Sequence, residues 1–312
     1  MSHWTTANIP DQSGITAIVT GGNSGIGYIT ALELARKGAR VVLACRSLPK
    51  AEAAAQKIRE EVAGAQVEAR VLDLASQASV HKFAQEYLAS RQPLHLLINN
   101  AGVMNILKRT ETTDGFEMQF GTNVLGHFAL TGLLLPALVS TAASAPKPPR
   151  VVTLSSIIHK QGKIDLDDLQ LTRSYTPSKA YAQSKLADLM FAFELDRRLR
   201  AKHIPVLSIA AHPGVAETNL FVRDAAPWQR SMRVFTGKII ALVLNTTEQG
   251  ALPTLYAATD PAAVAGGYYG PQGLFDARGY PGPANIASQA KDERVAAALW
   301  EKCEGLTGVR FP

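Results

Sequence analysis

Ile15-Thr-Ala-Ile-Val-Thr-Gly-Gly-Asn-Ser-Gly-Ile-Gly27 is the stretch on which the reading of this chain turns. Its first six residues are a short β-rich run. Gly25 to Lys37 then has the pattern of an amphipathic helix, ended by Gly38. Between them lies a loop with glycines at 21, 25 and 27. Such glycines let the backbone turn sharply and come close to a phosphate without side-chain obstruction. The helix start that follows offers unpaired N–H groups and the positive end of a dipole. A glycine-rich stretch alone is weak evidence, but here it joins a strand to a helix, where a nucleotide phosphate is bound.

The same alternation continues outward. Arg40–Cys45 reads as a strand, Pro49–Val62 as a helix, Val67–Leu72 as a strand, Ser76–Ser90 as a helix and Leu94–Asn99 as a strand. A helical region over Asp114–Ser140 follows, then a Pro-rich loop, a strand Val151–Leu154, a long helix Ser178–Lys202 and a strand Val206–Ala211. Beyond these, the pattern predicts a helix over Thr247–Thr259, a last strand in Gly266–Gly270 and a terminal helix over Asn285–Cys303. Apolar runs such as Val41–Ala44 suit strands buried on both faces, as in a parallel sheet covered by crossover helices. The expected class is α/β: a single Rossmann-type doubly wound parallel sheet with helices on both faces. No repeat or linker divides residues 1–312, so one domain is expected. The irregular, aromatic-bearing segment 216–245 reads equally well as a substrate lid or as short helices packed on the core.

Composition narrows the class further. Of 312 residues 46% are hydrophobic and 19% charged, too apolar for a disordered chain. The net charge of +6 is small for this length and no run of five like charges occurs, which argues against a nucleic-acid partner. Two cysteines, Cys45 and Cys303, suit a reducing compartment. The polar N-terminus lacks a signal-peptide core, and Ile239–Leu244 is too short to cross a bilayer. A soluble cytoplasmic protein without a membrane anchor is therefore expected. His81, His95, His127, His159, His203 and His212 show no metal-ligand spacing, so no metal is expected and packing or surface roles are assigned to them.

The loop residues Gly21, Ser24, Gly25, Ile26 and Gly27 form the expected pyrophosphate site, and Asn23 within the loop is placed to donate to a 2′-phosphate. An acidic residue at the end of the second strand would bind ribose hydroxyls and repel a phosphate. The chain has Cys45-Arg46-Ser47 there instead. Arg46 offers forked donors to a 2′-phosphate, which places NADP ahead of NAD. Asp73, with Leu74 beside it, sits where a carboxylate accepts from an adenine amino group, or where it merely closes a turn. Asn100, Ala101 and Gly102 end the fourth strand and are small enough at 101 and 102 for the cofactor to lie on the backbone.

Tyr181 and Lys185, four apart inside a predicted helix, share one face. A phenol of ordinary pKa about 10 is a poor acid–base group until a nearby ammonium stabilises its phenolate. Ser155 and Ser156 end the fifth strand, and a hydroxyl there can hold a carbonyl oxygen against Tyr181. Asn123 lies in a helical stretch, where an amide needs a partner such as a backbone group or a water on the way to Lys185.

Taken in order, Thr20-Gly-x-x-x-Gly-x-Gly27, Asn99-Asn-Ala-Gly102, Asn123, Ser156, Tyr181-x-x-x-Lys185 and Pro213-Gly-Val215 resemble the short-chain dehydrogenase/reductase family. Ala44-Cys-Arg46, Gly126-His-Phe128, Leu154-Ser-Ser-x-x-His159, Asp168-Leu-Gln170 and Ser184-Lys-Leu-Ala187 are similar to its retinol-dehydrogenase-like branch. So is the long gap between Ser156 and Tyr181. The resemblance implies a catalytic set of Asn123, Ser156, Tyr181 and Lys185, with the second serine preferred. It also implies that Lys185 binds the nicotinamide ribose, and that Pro213, Gly214, Val215 and Thr218 hold the carboxamide and pyrophosphate. Family members often associate through helices such as 114–140 and 178–202, so a homo-oligomer is compatible with the resemblance. The membrane-anchoring segment common in animal retinol dehydrogenases is not seen, and the match fades beyond Thr218, where substrate identity resides.

The expected activity is NADP-dependent interconversion of a carbonyl and an alcohol on a small, apolar substrate, with Tyr181 moving the proton. The alternatives are reduction of a conjugated C=C bond and a non-catalytic dinucleotide sensor. A sensor has no need of Asn123, Ser156, Tyr181 and Lys185 together.

Overall fold

Eight strands are laid down among the described residues: β1 Thr16–Thr20, β2 Arg40–Cys45, β3 Val67–Val71, β4 Leu96–Asn99, β5 Arg150–Leu154, β6 Leu207–Ala211, β7 Tyr268–Pro271 and β8 Pro281–Pro283. In the computed structural model, which describes residues 3–215 and 245–312, they form one sheet of order β3-β2-β1-β4-β5-β6-β7-β8. Each strand from β1 to β7 runs parallel to its neighbours, and only β8 is antiparallel, on β7.

The helices are α1 Gly25–Arg36, α2 Leu48–Glu61, α3 Gln77–Ala89, α4 Met118–Ala142, α5 Pro177–Ala201, α6 Thr247–Thr259 and α7 Glu293–Thr307. Strand alternation sorts them into two layers. Ile18, Val42, Leu97 and Val151 point to one face and pack with Phe83, Phe128, Leu189 and Trp300 of α3, α4, α5 and α7. Their neighbours Val19, Leu43, Ile98 and Val152 point to the other face and pack with Leu34, Ile58 and Leu255 of α1, α2 and α6. Because β1 lies between β2 and β4, the chain winds outward in both directions from the β1–β4 pair. The crevice at the carboxyl ends of those strands is where such sheets bind ligands.

Several boundaries differ from the sequence reading for local reasons. Helix α4 starts at Met118 instead of Asp114, because the Glu117 carboxylate accepts from the N–H groups of Gln119 and Phe120 and caps it there. Asp114 instead accepts from Gln77 N at 2.9 Å. The terminal helix starts at Glu293, where Asp292 accepts from Arg294 and Val295, and a short 3-10 turn, Ser288–Lys291, precedes it. Strand β8 was not anticipated, since Pro-Gly-Pro carries no apolar alternation.

One helix among the described residues, α4, is long and apolar enough by length and composition to cross a membrane, although it is mostly buried against the sheet. The segment read as a lid lies outside the described residues, apart from Asn245, as do Thr218 and Ile239–Leu244.

The α-helical layer closes on Trp300, which is 2% exposed and meets Phe128, Phe191 and Phe311 at ring distances of 4.9, 5.7 and 4.6 Å. Trp300→Ala leaves a large void under α5 and α7, and is expected to cost about 3–5 kcal/mol in a urea titration.

Candidate active site

The phosphate loop has the shape its sequence suggests. Gly25 sits at φ +56° with open space around it, so the constraint there is conformational. Gly27 is different. A Cβ on it would lie 2.4 Å from Asn100 Nδ2 and 2.6 Å from Gly21 O, so helix α1 packs closely on the loop after β4. Ser24, at the helix N-cap, makes no side-chain cap, leaving the first-turn N–H groups of α1 for an anion. Asn23 is half-buried in the loop, Ile26 is buried beneath it, and Arg46 is exposed at the end of β2. The intervening Cys45 thiol is pushed up to about 11 by burial, against the backbone N–H groups of Asn23, Gly22 and Gly21, and is inert.

Thr20 ties this loop to the rest of the site. Its hydroxyl oxygen accepts from Asn100 N and Ala101 N, both at 2.9 Å. The ring of His127 lies 2.9 Å away through Nε2, and its Nδ1 lies 2.8 Å from Asn123 O. A carbonyl oxygen only accepts, so Nδ1 carries the proton and Nε2 accepts the Thr20 O–H. Asn100 Nδ2 also donates to Thr20 O at 2.8 Å. Asp73 accepts from Ala75 N at 3.0 Å, which makes it in part a turn residue, and buried Leu74 abuts Gly126 of α4.

Asn123 lies in a π-helical turn, Gly121–Leu125, that widens α4 and brings its buried amide to the cleft. There Oδ1 accepts from Val103 N at 2.8 Å, while Nδ2 donates to Val103 O and to Ser184 Oγ, both at 3.0 Å. Gly102 lies in the gap so formed. A Cβ on it would come within 3.4 Å of Asn123 Oδ1 and 3.7 Å of Lys185 Nζ.

Helix α5 begins at Pro177 after Thr176, whose side chain accepts from Lys179 N, and it carries Tyr181 and Lys185 into the same cleft. Lys185 Nζ lies 6.0 Å from the Tyr181 ring centroid and donates to Leu154 O at 2.9 Å and to Asp188 Oδ2 at 2.8 Å. Burial pushes the Tyr181 phenol above its ordinary range. Lys185 works against that rise, Asp188 adds to it, and the hydroxyl of Ser156 lowers it. The expected help from Lys185 is thus present but outweighed by burial. Ser155 faces away: it is buried and its Oγ donates to Lys185 O at 2.7 Å. Half-buried Ser156 starts the 3-10 turn Ile157–Gln161.

The loop after β6 is held from two sides. Val215 N donates to Ala277 O at 2.9 Å, and Asn245 Nδ2 donates to Pro213 O at 2.9 Å. Gly214, at φ +73°, would place a Cβ 2.3 Å from Ala277 O. Thus the structure brings together the loop 21–27, Asn100–Gly102, Asn123, Ser156, Tyr181, Lys185 and the start of the loop at Pro213 along one sheet edge. Among the described residues no cluster of His, Cys, Asp or Glu is arranged to hold a metal ion.

Sequence reasoning missed four supporting residues. Thr20, His127 and Asp188 are described above. The fourth, His159, donates from Nδ1 to Ser156 O at 2.7 Å and accepts from Ala287 N at 3.3 Å, pinning the Ser156 turn to the C-terminal segment. The readable signals were the four-residue spacing of His127 from Asn123 and the three-residue spacing of Asp188 from Lys185 on helices.

Residues 15–227 match the short chain dehydrogenase family, and the chain belongs to that family, in its retinol-dehydrogenase-like branch. It is 44% identical to retinol dehydrogenase 13 of Homo sapiens, over 98% of this chain and 87% of that one. It is 43% identical to polyprenol dehydrogenase of Mus musculus, over 96% of this chain and 86% of the other. A crystal structure of an uncharacterized protein of Mycobacterium paratuberculosis is 41% identical, with a TM-score of 0.81 and full coverage of both chains. The chain is an NAD(P)-dependent oxidoreductase acting on a CH–OH/C=O pair. These comparisons lend no support to the expected cytoplasmic location.

The buried histidines make stability pH-dependent. Burial holds His127 and His212 down at about 3, well below the unfolded value. Below the unfolded value the unfolded chain takes up protons that the folded chain refuses, so stability present at neutral pH is lost as pH falls. The loss is at most about 1.4 kcal/mol per pH unit for each histidine. In urea titrations between about pH 6 and pH 4, His127→Gln is expected to give a slope shallower by about 1 kcal/mol per unit. An unchanged slope would remove His127 from the titrating set.

Proposed function

We propose that the protein is an NADP-dependent carbonyl reductase and alcohol dehydrogenase acting on apolar aldehydes or ketones and their alcohols, in one domain over 1–312. The observation that carries this reading is the Tyr181 phenol, beside the Ser156 hydroxyl and with Lys185 Nζ 6.0 Å from its ring, at the gap left by Gly102.

The cleft fits a dinucleotide. Gly21, Ser24, Gly25, Ile26 and Gly27 would hold the pyrophosphate, Asn23 would donate to a 2′-phosphate, and Asp73 and Leu74 would flank the adenine. Asn100, Ala101 and Gly102 would bed the ribose, Lys185 would bind its hydroxyls, and Pro213, Gly214 and Val215 would hold the carboxamide, continued by Thr218. When bound, the reduced cofactor supplies the hydride. Arg46 supports the choice of NADP, because its guanidinium is exposed at the selective position and no carboxylate occupies that strand end.

The protein's part is proton handling. Ser156 donates to the substrate oxygen and steadies the charge that develops there. Tyr181 then gives its Oη proton to that oxygen, and a phenol raised by burial is in the form that can give it. Lys185 stabilises the phenolate left behind, and Asn123 holds the 102–103 backbone and, through Ser184, the start of the Tyr181 helix turn. In alcohol oxidation each proton moves the other way. Two relatives are named for retinol and polyprenol, both apolar alcohols, which supports an apolar substrate here.

NADPH and NADH consumption over a panel of aldehydes and ketones tests the reading. Tyr181→Phe is expected to lower kcat by a hundredfold or more, about the contribution of a positioned general acid, and an unimpaired variant would refute the mechanism. Arg46→Asp is expected to cost NADPH about tenfold or more in kcat/KM relative to NADH, since a phosphate would then meet a carboxylate. An unchanged ratio would leave the NADP assignment without its basis.

A further inference from the structure

Asp188 is a carboxylate sealed into the protein, 2% exposed, with Oδ2 2.8 Å from Lys185 Nζ. An ammonium has three protons to donate. Leu154 O takes one at 2.9 Å and Asp188 takes the second, so the third is directed away from both, toward the side of Tyr181 and Gly102. Lys185 is itself 5% exposed, and a lysine so enclosed without a counter-charge gives up its proton easily.

We infer that Asp188 is a positioning residue for the reaction, whose carboxylate keeps the Lys185 ammonium charged and fixed in the orientation that presents its remaining proton to the catalytic cleft. The inference rests on the role assigned above to Tyr181 and Lys185. Burial alone makes Lys185 give up its proton more easily. Asp188 first, and then Tyr181, reverse this and hold the ammonium above its usual value. Asp188 is itself pushed up to about 6 by burial, with Lys185 opposing the rise, so it is ionised at neutral pH and above.

Other titratable groups around the pair are silent there. From α4, His127 is held neutral by burial, and from α7 the Cys303 thiol is driven far up by burial, with Asp188 adding to it. Strand β5 contributes Leu154 O and the Ser155 hydroxyl. Tyr181, Lys185 and Asp188 therefore titrate among themselves.

Asp188→Asn keeps the shape and removes the charge. Two readouts follow. Activity of the variant relative to the wild type is expected to fall a further tenfold or so between pH 7 and pH 9, because Lys185 without its counter-charge gives up its proton more easily, and Asp188→Glu, which keeps the charge, is expected to follow the wild-type profile. The second readout needs no substrate. In the variant the folded chain releases this proton more readily than the unfolded chain, so the stability deficit in urea is expected to shrink from pH 7 to pH 9. A merely structural hydrogen bond gives parallel pH–activity profiles and a constant deficit, and that result overturns the inference. If the variant is unfolded at pH 7, recovery at pH 9 supports the inference and failure at both refutes it. Tyr181→Phe separates the two readings: if it stays active the mechanism itself fails, whereas an inactive Tyr181→Phe with parallel Asp188→Asn profiles sinks only the role of Asp188.

Discussion

The hydroxyl of Thr20 is the joint on which the site depends. It stands at the carboxyl end of β1, accepts two backbone N–H groups from the loop after β4, and shares its own proton between Ile98 O of β4 and His127 of α4. One oxygen thus aligns the phosphate loop, the strand end on which the cofactor would lie, and the helix that carries Asn123. His127 passes the constraint on through Asn123 O, and the Asn123 side chain passes it to Val103 and Ser184. Each step is a buried hydrogen bond, costly to leave unmade. The cleft is therefore built into the packed body of the protein before any ligand enters.

Burial also decides the chemistry. It raises the Tyr181 phenol, lowers the His127 imidazole and works against the charge on Lys185, so each of these three buried groups is pushed toward its neutral form by burial. Only a local counter-charge reverses that trend, and Asp188 supplies it for Lys185 alone. The result is a phenol beside a retained positive charge, the combination that the proposed proton transfer to a substrate oxygen would use.

Much of this was legible in the sequence because it is periodic or local. Strand and helix order followed from short β-rich runs alternating with amphipathic stretches, and the helices on both faces from apolar runs such as Val41–Ala44, whose residues the two core layers share out. The neighbourhood of Tyr181 and Lys185 followed from helical spacing. What escaped depends on contacts distant in sequence. His127 gains meaning only beside Thr20, and His159 only beside Ala287. The π turn around Asn123 carries no compositional mark. Asp188 was within reach of the spacing argument, but its partnership rests on the depth at which both charges lie, and depth is a property of the assembled layers.

The choice between Ser155 and Ser156 shows how little separates a hydroxyl turned to the backbone from one turned to Tyr181. Successive side chains leaving a strand point to opposite sides. At the end of β5 the first serine is directed to the backbone of α5, where it bonds Lys185 O, and the second meets the phenol. A shift of one residue in the register of Thr153 with Ala210 would exchange the two. That register is fixed by Val151 and Val152, each buried on its own face of the sheet. Which hydroxyl faces Tyr181 is accordingly decided by hydrophobic packing several residues upstream.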